Sequence, residues 1–214
     1  MPEYDFPWHR EVLPDQWARA VDALATRTLL DGFYLAGGTG LALHVGHRRS
    51  VDLDLFRESE FASEDLRDRV RNMEGLGKLE TERGTVHLQL HGVKVSFLYY
   101  PYPLIFPLHA FGALTVADPR DIACMKLDTI ATRGTRRDFV DLYVAATTYG
   151  LREIFAWFAT KYAAVSYNRA HLYKALTYFA DAEQEPMPNL LVPLEWSTVR
   201  QFFLAEAPRL PRLP

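Results

Sequence analysis

The sequence is poor in several things, and each shortage closes off a class of protein. It carries one cysteine, Cys124, in 214 residues, which excludes an intramolecular disulfide framework and leads us to expect a reducing, cytoplasmic setting. Its neighbours Ile122, Ala123 and Met125 mark the thiol as a core group, not a nucleophile. Excess charge is also missing. The formal net charge is −3, so no global basic field exists, and attraction for a polyanion must come from a local cluster. Arg48, Arg49, Lys94, Lys126, Arg133, Arg136 and Arg137 are the candidates for one. Long apolar runs are absent too. The nearly uncharged stretch Val95 to Ala117 is interrupted by Pro101, Pro103 and Pro107, short of the roughly 20 unbroken apolar residues of a membrane helix. The first fifteen residues carry Glu3, Asp5, Arg10 and Glu11 among prolines, which does not fit a signal peptide. Histidines and cysteine make no zinc-like spacing. His44, His47, His87 and His91 are therefore read as surface or core residues.

What is present is ordinary globular material, 49% hydrophobic and 24% charged, enough for one large domain or two small ones. The two halves have different periodicities, which predicts an α+β fold. An α/β domain over residues 1–117 has a mixed sheet of four or five strands flanked by helices, and a helical domain spans 118–214. A helix is expected from Pro14 to Leu30, with Trp17, Val21, Leu24 and Thr28 at steps of three and four. Phe33 to Ala36 reads as a short buried strand, and Thr39 to Val45 as a helix. Ser63 is a plausible cap for a charged helix through Arg71. Thr85 to Leu90 and Val93 to Tyr99 form a hairpin pattern around His91-Gly92. Pro101 to Pro107 is a connector. Asp118-Pro119 opens a helix that stops at Gly134, and Thr135 with Asp138 makes an approximate capping box. Further helices fit Leu151 to Ala163, Asn168 to Asp181 and Ser197 to Ala207, and the tail Pro208 to Pro214 is expected to be loosely held.

Two features carry chemistry. Gly37-Gly38-Thr39 joins a strand to a helix, where glycines let the backbone approach an anion and the helix start offers free N–H groups. It is no P-loop, for no Gly-Lys-Ser/Thr follows, and a third glycine is missing for a dinucleotide fingerprint. Ser50 to Phe56 alternates with period two, so Asp52 and Asp54 share one face and Val51, Leu53 and Leu55 the other. Two carboxylates roughly 6–7 Å apart along a strand repel unless a divalent cation lies between them. Such a pair suits phosphoryl or nucleotidyl transfer.

Together these motifs resemble the signature of the polymerase-beta-like nucleotidyltransferases, a Gly-Gly turn followed by Asp-x-Asp on the next strand. The wording is closest to the AbiEii/AbiGii toxin family: Leu35-Ala36-Gly37-Gly38-Thr39, then His47-Arg48-Arg49-Ser50-Val51-Asp52-Leu53-Asp54-Leu55-Phe56. That family's helical lysine motif is matched by Lys126 to Arg133, and its Arg-Asp-x-x-Asp-Leu motif by Arg137 to Leu142. The resemblance implies Asp52 and Asp54 as ligands of Mg2+ or Mn2+. Gly37, Gly38 and Thr39, with Arg48 and Ser50, would hold the nucleotide. Lys126, with Arg133 and Arg137, would neutralise triphosphate charge, and Asp138 or Asp141 would complete the catalytic set. The implied activity is nucleotidyl transfer from a nucleoside triphosphate to RNA, such as a tRNA end, or to protein, as the toxin of a toxin–antitoxin pair. One departure stands out. Ser96 occupies the position of an expected third carboxylate, which favours as alternative a nucleotide-binding module of the same fold without turnover.

Overall fold

In the computed structural model residues 7–210 are described. The chain divides into two compact units, Met1–Pro103 with Pro107–Asp118, and Leu104–Phe106 with Pro119–Pro214.

The first unit is built on a mixed sheet. Its strands are β1 (Tyr34–Leu35), β2 (Leu53–Arg57), β3 (Leu76–Glu82), β4 (Thr85–Leu90), β5 (Val93–Tyr99), β6 (His109–Phe111) and β7 (Leu114–Val116). They lie in the order β3-β4-β5-β2-β1-β7-β6. β1 pairs antiparallel with β2 and parallel with β7, and β2 pairs parallel with β5. Seven strands replace the four or five expected. β3 was missed because Lys78, Glu80 and Glu82 hide its alternation, and β6 and β7 because three residues show no period.

Helices α1 (Gln16–Thr26), α2 (Gly37–Val45) and α3 (Ser63–Val70) complete this unit. Trp17, Val21 and Leu24 of α1 join Leu66 and Val70 of α3 in a core with Leu53, Leu55, Val86, Leu88, Val95 and Phe97. These strand residues define the sheet's core face. By alternation, Asp54, His87, Gln89, Lys94 and Ser96 leave by the other face. Helix α1 ends earlier than its pattern suggests, because Thr28 is left-handed at φ 53° and turns the chain. Ser63 is the first helical residue rather than the cap. Its hydroxyl accepts from the Gly84 N–H at 2.9 Å and so ties α3 to the β3–β4 turn.

The second unit contains α4 (Pro119–Arg133), α5 (Arg136–Tyr149), α6 (Leu151–Lys161), α7 (Arg169–Ala175), α8 (Ala180–Glu183) and α9 (Trp196–Glu206). The capping box at Thr135 and Asp138 is formed in full. Asn168 caps α7 by accepting from the His171 N–H, but the single helix expected through Asp181 is two short ones. Phe139 is the centre of an aromatic cluster with Phe179, Trp196 and Phe203. Cys124 is fully buried, and burial pushes its thiol up to about 12, in keeping with a core role. Part of the tail departs from expectation: Ala207–Arg209 form a 3-10 turn and Leu210 is 9% exposed, while 211–214 lie outside the described residues.

Candidate active site

The Gly-Gly turn and the Asp-x-Asp strand meet in the first unit. β1 runs into α2 through Gly37, whose φ of +63° is a conformation that side chains resist. Gly37 is constrained a second time, since a Cβ there would lie 3.2 Å from Asp54 Oδ2. The Ala36 N–H donates to the Asp54 carbonyl at 3.1 Å, so the loop entering α2 is clipped to β2. Helix hydrogen bonding resumes only where Gly40 N–H meets the Ala36 carbonyl. Among the described residues, the N–H groups of Gly38 and Thr39 find no acceptor. Such groups at a helix start are suited to an anion.

The Thr39 side chain is engaged within the protein. It is 1% exposed, and its hydroxyl donates to the Asp52 carbonyl at 2.5 Å. That hydrogen being spent, the Ser50 hydroxyl must donate in the 2.8 Å bond between the two side chains. Thr39 and Ser50 thus fix the backbone of Asp52 relative to α2. Arg48 is 4% exposed and donates to the Arg49 carbonyl at 3.1 Å, which removes it from any surface basic cluster.

Asp54 lies within β2, whereas Asp52 just precedes the strand. Leu53 and Leu55 are fully buried and both aspartates are half-buried. Val51 was expected to share the inward face. It is instead 52% exposed, because pairing begins only at Leu53 and the alternation does not reach back to it. The Asp52 carboxylate has no hydrogen bond or ion pair among the described residues. It borders a cavity of about 450 Å³ shared with Gln16, Lys78, His87, Gln89 and Lys94. Ser96 is the register partner of Asp54, is 2% exposed, and its Oγ lies 3.0 Å from Nδ1 of His87. His87, set aside as a surface or core residue, is the functional candidate that the sequence reading missed.

The chain as a whole matches, over residues 19–213, the family model described as "Nucleotidyl transferase AbiEii toxin, Type IV TA system". It belongs to that family. A protein of Aquifex aeolicus (strain VF5) described as "Uncharacterized protein aq_aa25" is 32% identical over 197 residues, 89% of this chain and 94% of the other. Among solved structures, JHP933 from Helicobacter pylori is similar with a TM-score of 0.48 and 20% identity, over 92% of this chain and 95% of its own. MenT4, a nucleotidyltransferase toxin from Mycobacterium tuberculosis H37Rv, is similar with a TM-score of 0.44 and 14% identity, over 93% and 87%.

The remaining residues of the AbiEii motifs lie in the second unit and make a cluster of their own. Lys126 is 7% exposed, its Nζ 2.8 Å from Asp138 Oδ1 and 2.7 Å from Asp141 Oδ2. Asp138 also accepts from the Thr135 hydroxyl at 2.5 Å. The lysine motif on α4 and the Arg-Asp-x-x-Asp motif on α5 are therefore two halves of one buried ion cluster. Although Arg137 and Asp141 are one helical turn apart, they point different ways: Arg137 is exposed and Asp141 faces inward to Lys126. Arg133 is exposed at the end of α4. Arg136 leaves the basic cluster, since its guanidinium donates to the Ala182 and Glu183 carbonyls and sits over Trp196. Among the described residues, no helix is long and apolar enough to cross a membrane.

Proposed function

We propose that this member of the AbiEii nucleotidyltransferases transfers a nucleotidyl group from a nucleoside triphosphate to RNA, such as a tRNA end, or to a protein side chain. In this reading it is a toxin with a cognate antitoxin. The observation that carries the proposal is the joining of the glycine turn to the paired aspartates: Gly37 packs on Asp54, and Thr39 holds the backbone of Asp52.

A divalent metal fits the donor set. Both candidate ligands are carboxylates, and among the described residues no group of three His, Cys, Asp or Glu side chains is placed to hold a metal ion. Two protein oxygens, with phosphate oxygens and water as the other ligands, suit Mg2+ or Mn2+ and not a zinc cage. Bound there, the metal would neutralise phosphate charge as the α-phosphorus is attacked. The protein's own contributions are then separable. Asp52 and Asp54 supply negative charge at fixed spacing. The N–H groups of Gly38 and Thr39 offer donors to phosphate oxygens. Lys126, Arg133 and Arg137, with Asp138 and Asp141, are assigned to the nucleotide and catalytic set by their motifs.

Label transfer from each radiolabelled nucleoside triphosphate into RNA and into protein tests the proposal. Asp54→Asn keeps the side-chain shape and removes the charge, so transfer should fall by orders of magnitude at matched folding. Equal transfer by both proteins rejects the metal role. Nucleotide binding without transfer by the wild-type chain supports the binding-module alternative, which the serine at position 96 favours.

A further inference from the structure

An acceptor hydroxyl must lose a proton as its oxygen attacks phosphorus, and Ser96 is too weak a base for that task. The sheet shows what stands beside it. Asp54, Ser96, His87 and Glu80 are register neighbours across β2, β5, β4 and β3, so they leave the same face in one row. Neighbouring strands lie roughly 4.8 Å apart. A serine leaves unfilled the space a carboxylate would take at that position, and the imidazole of His87 leans into it, with Nδ1 3.0 Å from Ser96 Oγ. His87 is half-buried, and among the described residues nothing bonds its Nε2. His87 and Asp52 also border the same cavity. Among the described residues no three His, Cys, Asp or Glu side chains are placed to hold a metal ion, so His87 is not assigned as a third ligand.

We propose that His87 is a catalytic residue of the transfer reaction and that Ser96 is its positioning residue; this rests on the nucleotidyl-transfer reading above. Nδ1–H donates to Ser96 Oγ, which leaves the Nε2 lone pair toward the cavity. Nε2 takes the acceptor's hydroxyl proton while the acceptor oxygen forms its bond to the α-phosphorus. The bond from that phosphorus to the bridging oxygen breaks, and pyrophosphate leaves with the electron pair. The imidazolium then returns its proton to water. The charged groups around it are the acids Glu80 on β3, Asp54 on β2 and Asp52 at the cavity, and the bases Lys78 on β3 and Lys94 on β5.

The test uses the full chain with His87→Gln, Ser96→Ala, Ser96→Asp and the double variant His87→Gln/Ser96→Asp. His87→Gln retains a polar contact to Ser96 but takes no proton. Its kcat should fall about 10²–10⁴-fold, the range for loss of a general base, with KM for the nucleotide little changed. The limb of the pH–rate profile that falls toward acid should vanish with it. The double variant should regain transfer, because a carboxylate again stands next to Asp54. Independently of turnover, 15N NMR of the imidazole should show the Nδ1–H tautomer in wild type and a tautomer mixture in Ser96→Ala. His87→Asn substitutes if His87→Gln melts early. Wild-type transfer by His87→Gln across the pH range overturns the proposal while Asp54→Asn still abolishes transfer, so the two readings fail separately. A pH–rate profile unchanged in His87→Gln, or an imidazole indifferent to Ser96→Ala, likewise overturns it.

Discussion

The two units treat their charges in opposite ways. In the first, the Asp52 carboxylate borders a cavity and has no hydrogen bond or ion pair among the described residues. In the second, charges are enclosed and matched. Lys161 and Asp121 are both 0% exposed and 2.8 Å apart, and Asp121 also accepts from the Ile105 and Phe106 N–H groups. Lys126 is likewise held between Asp138 and Asp141. The enclosed ions hold particular segments together: Asp121 fastens the stretch around Phe106 to α4, and Lys126 fastens α4 to α5. Ions enclosed in this way are tied to the helices that carry them. A carboxylate without such a partner contributes little to folding and is open to whatever enters the cavity.

Removing one member from each set should sharpen this contrast. Asp121→Ala takes the paired carboxylate away from a fully buried lysine and should cost about 3–5 kcal/mol, read from urea denaturation. The pair Asp121→Leu with Lys161→Met should recover much of that loss, since an apolar pair of similar volume avoids the desolvation cost. Asp52→Asn, with no partner among the described residues to lose, should change stability without metal by no more than about 0.5 kcal/mol. A large loss there would mean that Asp52 is spent on folding after all.

The first unit is not uniformly open, and His44 offers a way to break the comparison. It is 8% exposed, with Nε2 2.9 Å from the Ala117 carbonyl and its ring 5.4 Å from that of His109. Burial lowers its pKa from 6.5 to about 4, against the opposing backbone hydrogen bond. The unfolded chain therefore binds more protons between those values, and stability should decline as pH falls from 6.5 toward 4. One such group gives a slope of at most about 1.4 kcal/mol per pH unit. His44→Gln should flatten this dependence in denaturation curves taken from pH 7 to pH 4, and an unchanged slope would remove His44 as its source.

Smaller effects follow. Thr39→Val keeps the shape and deletes the hydroxyl between Ser50 and the Asp52 carbonyl, at a cost of about 1–3 kcal/mol by denaturation. Transfer should fall further than the stability loss explains, because the Asp52 backbone is no longer clipped to α2. At the bottom of the scale, Arg67 bridges Glu64 one turn away on the exposed side of α3. Arg67→Ala should leave the urea-denaturation midpoint essentially where it is in the wild type, since an exposed pair is screened by solvent.

Much of the site was legible in the sequence because its geometry is local. A positive-φ glycine before a helix, two aspartates flanking a buried leucine and a Thr-x-x-Asp capping box each depend on neighbours within a few residues. Family membership was legible for the same reason, through short motifs in fixed order. Two of the missed features depend on distant partners. Val51 faces outward because β5 begins pairing only at Leu53, and Ser63 serves the Gly84 N–H instead of its own helix.

The sequence by itself therefore determined the strand–glycine–helix turn, the alternation around Asp54 and the helical character after Asp118, since backbone sterics and periodicity act over one or two turns of chain. Tertiary structure alone decided the partners. It gave the Thr39 hydroxyl to Asp52, enclosed Lys126 between two aspartates, and set His87 against Ser96 across two strands. Hydrogen bonds and ion pairs act over about 3 Å in space, and no spacing along the chain specifies which groups folding will bring that close.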